Sequence, residues 1–165
     1  MIAAIAHPFP EPPAPGAATE VAPGILWMRL PLPMALDHVN IYALDDGDGW
    51  TLVDTGFDSA RARAIWETLL SGPLGGRPVR RLIVTHYHPD HIGLAGWFQA
   101  RGVALLTTRT SWLMARMLTL DVQDRPAPET LAFWRAAGMD PAMFARRANE
   151  RPFPLAIPGS RKVTG

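Results

Sequence analysis

"VTHYHPDHIGLAG", residues 84–96, places three of the chain's five histidines and an aspartate within six positions. Leu82, Ile83 and Val84 bring the chain in extended form to His86. Residues two apart on a strand project to the same side, about 6–7 Å apart at Cα. His86 and His88 can therefore converge on one metal ion at about 2.0–2.1 Å each. Pro89 holds His88 extended and turns the chain. Asp90 and His91 then open the next helix, displaced and rotated from the first pair, which suits a second ion about 3.5–4 Å away. Gly93 and Gly96 leave room for close backbone approach at this corner. Read blandly, the stretch is a surface loop that gathers three imidazoles and a carboxylate by accident. Its position between an apolar strand and a helix favours the ligand reading.

The rest of the composition narrows the chemistry. A chain of 165 residues, 48% hydrophobic and 19% charged, suits one domain with a real core. A net charge of +1 gives no electrostatic reason to expect nucleic acid or an acidic membrane surface. Without cysteine there is no disulfide framework, thiol nucleophile or thiolate site, so any metal is held by nitrogen and oxygen. The N-terminus lacks the cationic region of a signal peptide, and no stretch approaches the roughly 18 apolar residues of a membrane span. A cytoplasmic protein acting on a small molecule is the expectation.

Residues 1–23 read as a Pro/Ala-rich flexible leader, partly polyproline, and residues 151–165 as an irregular tail. Between them, strands are expected at 25–32, 39–46 and 50–55, the last two joined by a tight "DDGDG" hairpin. That hairpin superficially resembles a calcium loop, but its twelfth position is Gly56 or Phe57 rather than Glu. A helix follows at 58–72, capped by Asp58 or Ser59 and stopped by Gly72. Residues 79–85 read as a buried strand, 90–102 as a helix and 103–108 as another strand. Further helices are expected near 110–122, 128–137 and 141–149. Strands first, then strand–helix alternation, indicate an α/β layered sheet with helices on its face.

"THYHPDH" resembles the HxHxDH signature of the metallo-β-lactamase fold hydrolases, and "LVDTG" (52–56) resembles that superfamily's earlier strand-end motif. The stretch "PLPMALDHVNIYALDDGDGWTLVDTG" (31–56) looks like glyoxalase II-like or lactamase-like members, and the likeness runs over about residues 20–120. It implies an αββα sandwich with one or two metal ions, usually zinc, at one edge; an all-nitrogen and oxygen site also admits iron or manganese. By the same resemblance His86 and His88 bind the first metal, Asp90 and His91 the second, and Asp54 orients the cluster by hydrogen bonding. A metal-bound hydroxide would attack an ester, thioester, lactone or amide carbonyl, with Asp90 orienting it and relaying a proton.

The departures are equally informative. Members of the family supply further histidines and a bridging carboxylate from later loops. Here no histidine follows His91, and only Asp121, Asp124, Glu129, Asp140 and Glu150 remain as later acids. Catalytic zinc usually takes three protein ligands. Residues 24–150 are therefore expected to form the N-terminal half of such a domain, an incomplete sandwich of first sheet plus helices. The tail would be the scar of truncation or frameshift.

Other residues carry weaker signals. Asp-Thr-Gly after two apolar residues also matches the aspartic protease loop, which would make Asp54 half of a dimer's catalytic dyad, but that leaves the histidines unexplained. His38 could line the pocket, although a hydrogen-bonded loop histidine is the plainer reading; His7 falls in the leader. Asn40 is expected to tie loop backbone. Trp112, Met114, Met117, Leu118, Phe133 and Trp134 could wall a cleft, but helical spacing favours core packing. Arg77, Arg80 and Arg81 read as a solvated strand entry. Three functions compete: half of a metal-dependent hydrolase, a non-catalytic metal-binding or interaction fragment, and a site completed by ligands from another chain. Exposed apolar surface would favour self-association.

Overall fold

The structure is a computed structural model and describes residues 8–120 and 123–152. Six strands form one sheet in sequence order: β1 Thr19–Ala22, β2 Ile25–Pro31, β3 His38–Asp45, β4 Trp50–Val53, β5 Val79–Val84 and β6 Ala104–Thr107. β1 to β4 pair antiparallel, while β4–β5 and β5–β6 pair parallel. Connection length decides the change. The β3–β4 hairpin needs only Asp46 to Gly49, whereas each parallel step crosses over through helix.

The helices are α1 Ala60–Ser71, α2 Pro89–Ile92, α3 Ala95–Gln99, α4 Arg109–Leu120, α5 Pro128–Ala136 and α6 Pro141–Arg147. Ser59 caps α1 by accepting from the Ala62 amide at 3.1 Å, an interaction worth about 1 kcal/mol. Met28, Leu30, Ile41, Ala43, Leu52, Leu82 and Val84 point from the sheet into one core with Trp66 and Leu69 of α1 and Phe98 of α3. The Trp66 and Phe98 rings meet edge to face, 4.9 Å between centroids.

Several expectations require correction. The leader ends earlier than residue 23, because Thr19–Ala22 pairs with β2 as an edge strand. The helix expected over 90–102 is two short helices with a break at Gly93 and Leu94. The strand expected to be buried at 79–85 buries Leu82 and Val84 but leaves Ile83 37% exposed. Trp112 and Leu118 pack against the core, yet Met117 is 47% and Phe133 68% exposed, and α5 and α6 bury no residue. Arg77, Arg80 and Arg81 are not merely solvated. They pair with Asp45, Asp48 and Asp46 of the hairpin at 2.7, 2.8 and 3.1 Å. Asn40 accepts from Trp27 Nε1 at 2.9 Å rather than binding loop backbone. His7, Asp121 and residues 153–165 of the tail lie outside the described residues.

Candidate metal centre

The cluster sits where β4 and β5, parallel neighbours, both end at the same edge of the sheet. β4 delivers Asp54, whose φ of 63° is the only positive value among the described non-glycine residues. Asp tolerates this left-handed conformation better than most side chains. The kink lets one carboxylate serve both neighbouring segments. Thr85 donates its amide to Asp54 Oδ1 at 2.8 Å and its hydroxyl to Oδ2 at 2.8 Å. His91 donates Nδ1–H to Oδ2 at 2.8 Å.

Thr55 stitches the same two segments together. Its amide and Oγ1 both donate to the His91 carbonyl, at 2.8 and 2.7 Å, and its Oγ1 accepts from the Leu94 amide at 3.1 Å. Trp66 Nε1 of α1 holds the Thr55 carbonyl from below at 2.7 Å. Close approach explains Gly93: a Cβ there would lie 2.8 Å from the Gly56 carbonyl oxygen and 2.9 Å from the Asp58 amide. Sequence reasoning missed Thr85, Thr55 and the anchoring role of Trp66. The adjacency of threonine to both motifs, in "THYH" and "DTG", was the available signal.

With Nδ1 engaged by Asp54, His91 keeps Nε2 as its free nitrogen, 3.3 Å from Asp90 Oδ2. His86 Nε2 and His88 Nδ1 are 3.1 Å apart, and the rings of His86 and His91 lie 4.0 Å apart between centroids. Two donors sharing a tetrahedral ion at about 2.0–2.1 Å each lie about 3.3 Å from one another. The donors therefore stand as two pairs, each at the separation that one ion would require. Among the described residues, no group of three or more histidine, aspartate or glutamate side chains is arranged to hold a metal ion.

Electrostatics follow from the same contacts. Burial disfavours the charged form of His91, but its bond to Asp54 and the charges of Asp54 and Asp90 outweigh burial and raise its pKa above the usual histidine value. Burial would likewise raise Asp54, and the bonds from His91 and Thr85 prevail to hold it below the usual carboxylate value. His86 is pushed down by burial and by His91 and His88, which favours the neutral imidazole. His38 stands apart at the start of β3, bonded through Nδ1 to Asp37 at 2.6 Å. The aspartic protease reading fails here, because both Asp54 oxygens are taken by the chain's own donors.

The 165-residue chain is 32% identical to a beta-lactamase domain protein from Burkholderia ambifaria, with a TM-score of 0.63, over 94% of this chain and 46% of that one. It is 26% identical to the metallo-beta-lactamase FIM-1 from Pseudomonas aeruginosa, solved in a mono-zinc form, with a TM-score of 0.52 over 64% of this chain and 47% of that one. Over 75 residues it is 35% identical to "Probable metallo-hydrolase YqjP" of Bacillus subtilis (strain 168), covering 45% of this chain and 23% of that protein. The chain thus spans about a quarter of this curated relative and just under half of these solved structures. No helix among the described residues is long and apolar enough to cross a membrane. The family model for the metallo-beta-lactamase superfamily matches residues 34–157, and the chain belongs to that superfamily.

Proposed function

We propose that this chain carries part of a metal-dependent hydrolase centre whose ions, zinc foremost, are held by His86, His88, Asp90 and His91. The carrying observation is the pairing of donors at 3.1 and 3.3 Å, with His91 oriented by Asp54. An ion bound there would polarise an ester, thioester, lactone or amide carbonyl and acidify a water. Iron and manganese suit the same nitrogen and oxygen donors. The chain's own residues prepare the site. Thr85 fixes the Asp54 carboxylate, Asp54 fixes the His91 ring, and Asp90, only partly buried, can accept a proton and return it to a leaving group.

The test is metal content after zinc loading and dialysis, for the wild-type chain and for His86→Ala combined with His88→Ala, alongside hydrolysis of ester, thioester and lactone substrates. Retained zinc that the double variant loses, together with turnover, supports the reading. Zinc retained equally by both forms would sink it.

A second reading has its own support. No three donors are set around one ion among the described residues, while catalytic zinc usually has three. A weakly held ion without turnover would then make this chain a metal-binding fragment, and stoichiometric zinc with no hydrolysis is its signature.

A further inference from the structure

Thr85 touches a histidine as well as Asp54. Its Oγ1 lies 2.8 Å from Asp54 Oδ2 and 3.0 Å from His86 Nδ1. A hydroxyl has one proton to give, so both contacts cannot be donations. The oxygens decide between them. An O···O contact of 2.8 Å needs a proton between its two atoms. Asp54 accepts at both oxygens, from the Thr85 amide and from His91 Nδ1, as an ionised carboxylate does, and has no proton of its own to supply. The Thr85 hydroxyl therefore donates to Asp54 and turns its lone pairs toward His86. The ring nitrogen 3.0 Å from that oxygen is then the donor, which places the His86 proton on Nδ1.

We propose that Thr85 is a positioning residue for His86: its hydroxyl relays the Asp54 carboxylate to His86 Nδ1–H, so one carboxylate sets the proton on two rings and leaves Nε2 free on each. The relay rests on the metal-centre reading, because a free Nε2 serves the site only where an ion is held. Asp54 reaches His91 directly at 2.8 Å and His86 through Thr85. His86 belongs to one donor pair and His91 to the other, so a single residue after β4 orients a ring in each. A ligating imidazole generally needs its remote nitrogen held by an outer partner, and for His86 that partner is the threonine hydroxyl. The same order fixes the 3.1 Å contact between His86 Nε2 and His88 Nδ1. With the lone pair on His86 Nε2, His88 is the donor and keeps its proton on Nδ1 until that contact breaks.

Long-range proton–nitrogen correlation spectra of the full metal-free chain, recorded at mildly alkaline pH where the rings are neutral, read the tautomer of each histidine. His86→Gln and His91→Gln assign the signals. Wild type is expected to carry Nδ1–H on both His86 and His91. Thr85 is exposed, so Thr85→Val keeps the side chain's shape and opens no cavity in the core. It is expected to move His86 to the Nε2–H form, while His91, still bonded to Asp54, keeps Nδ1–H. Thr85→Ser is expected to restore the wild-type pattern. Zinc affinity, measured by chelator competition, is expected to fall about 10–100-fold in Thr85→Val and to recover in Thr85→Ser. A wild-type His86 with its proton on Nε2 overturns the proposal, as does a His86 that stays Nδ1–H in Thr85→Val. The first of these needs no variant, so the wild-type spectrum decides even where the valine chain fails to fold. A chain that shows the expected tautomers but holds no zinc in any form upholds the relay and overturns the metal-centre reading instead.

Discussion

Asp54 Oδ2 accepts a hydrogen bond from His91 Nδ1 at 2.8 Å, joining two segments 37 residues apart. Because a carboxylate only accepts, the contact puts a proton on His91 Nδ1 and leaves Nε2 as the nitrogen that the proposed metal would use. Asn in place of Asp54 tolerates the positive φ but keeps a single acceptor oxygen; with that oxygen held by the Thr85 amide, its NH₂ faces Nδ1–H and cannot accept from it. To bond it, the ring must shift its proton to Nε2 and lose the free lone pair there. Asp54→Asn is expected to lower apparent zinc affinity about 10–100-fold with the far-UV spectrum unchanged. Chelator competition measures it, and an unaltered affinity would remove Asp54 from the account.

Trp66 supports the site from beneath. Its indole is fully buried and donates to the Thr55 carbonyl, while Thr55 holds the His91 carbonyl. Trp66→Phe keeps most of the apolar volume but strands a buried carbonyl. Loss of that partner costs about 1–3 kcal/mol, read as a lower denaturation midpoint in urea. If the cost were only that of repacking, Trp66→Leu would behave the same per atom removed; a disproportionate loss per atom for the larger Phe points to the hydrogen bond.

Much of this was legible in the sequence because the local signals agreed with one another. Ser59 and Gly72 bound α1 as expected, and the Asp/Gly run makes the β3–β4 hairpin. "HYHPDH" sets His86 Nε2 and His88 Nδ1 3.1 Å apart, although both lie beyond the end of β5 at Val84 and not on the strand, so the expected alternation is not what pairs them. What was not legible depended on long-range pairing. The three arginines before and within β5 look solvated until parallel pairing sets them beside Asp45, Asp46 and Asp48. Ile83 looks like core because an apolar run alone does not reveal how many faces of a sheet are covered. The break after Gly93 was hidden because the Leu94 amide bonds Thr55 Oγ1, a partner 39 residues away in sequence.

Arg77 tests the hairpin's electrostatics away from the histidines. It binds Asp45, donates to the Gly47 and Gly49 carbonyls and lies over the Trp50 ring. The Arg77 bond, then the Gly47 amide, hold the Asp45 pKa below the usual carboxylate value. A lowered carboxylate contributes stability at pH above its unfolded pKa, and that contribution fades as pH falls through the folded one. Wild type is therefore expected to melt above Arg77→Gln at neutral pH, with the gap narrowing in acid. The gap should not close fully, because the carbonyl bonds do not titrate. A gap that is constant with pH would assign the effect to those bonds alone.

Gly93 offers the sharpest steric test, because everything around its missing Cβ is backbone. A methyl there would stand 2.4 Å from the Pro89 carbonyl oxygen, 2.8 Å from that of Gly56 and 2.9 Å from the Asp58 amide. No flexible side chain can yield, so either α2 or the loop after Asp54 must move. Those two segments carry His91 and its partner Asp54, so the displacement falls on the bond between them. Gly93→Ala is expected to destabilise by about 1–3 kcal/mol, the usual cost of overpacking, and to weaken zinc binding along with it. Urea denaturation gives the first quantity and chelator competition the second. Loss of stability with zinc affinity intact would mean that the strain relaxes into α1 instead, leaving the Asp54–His91 contact in place.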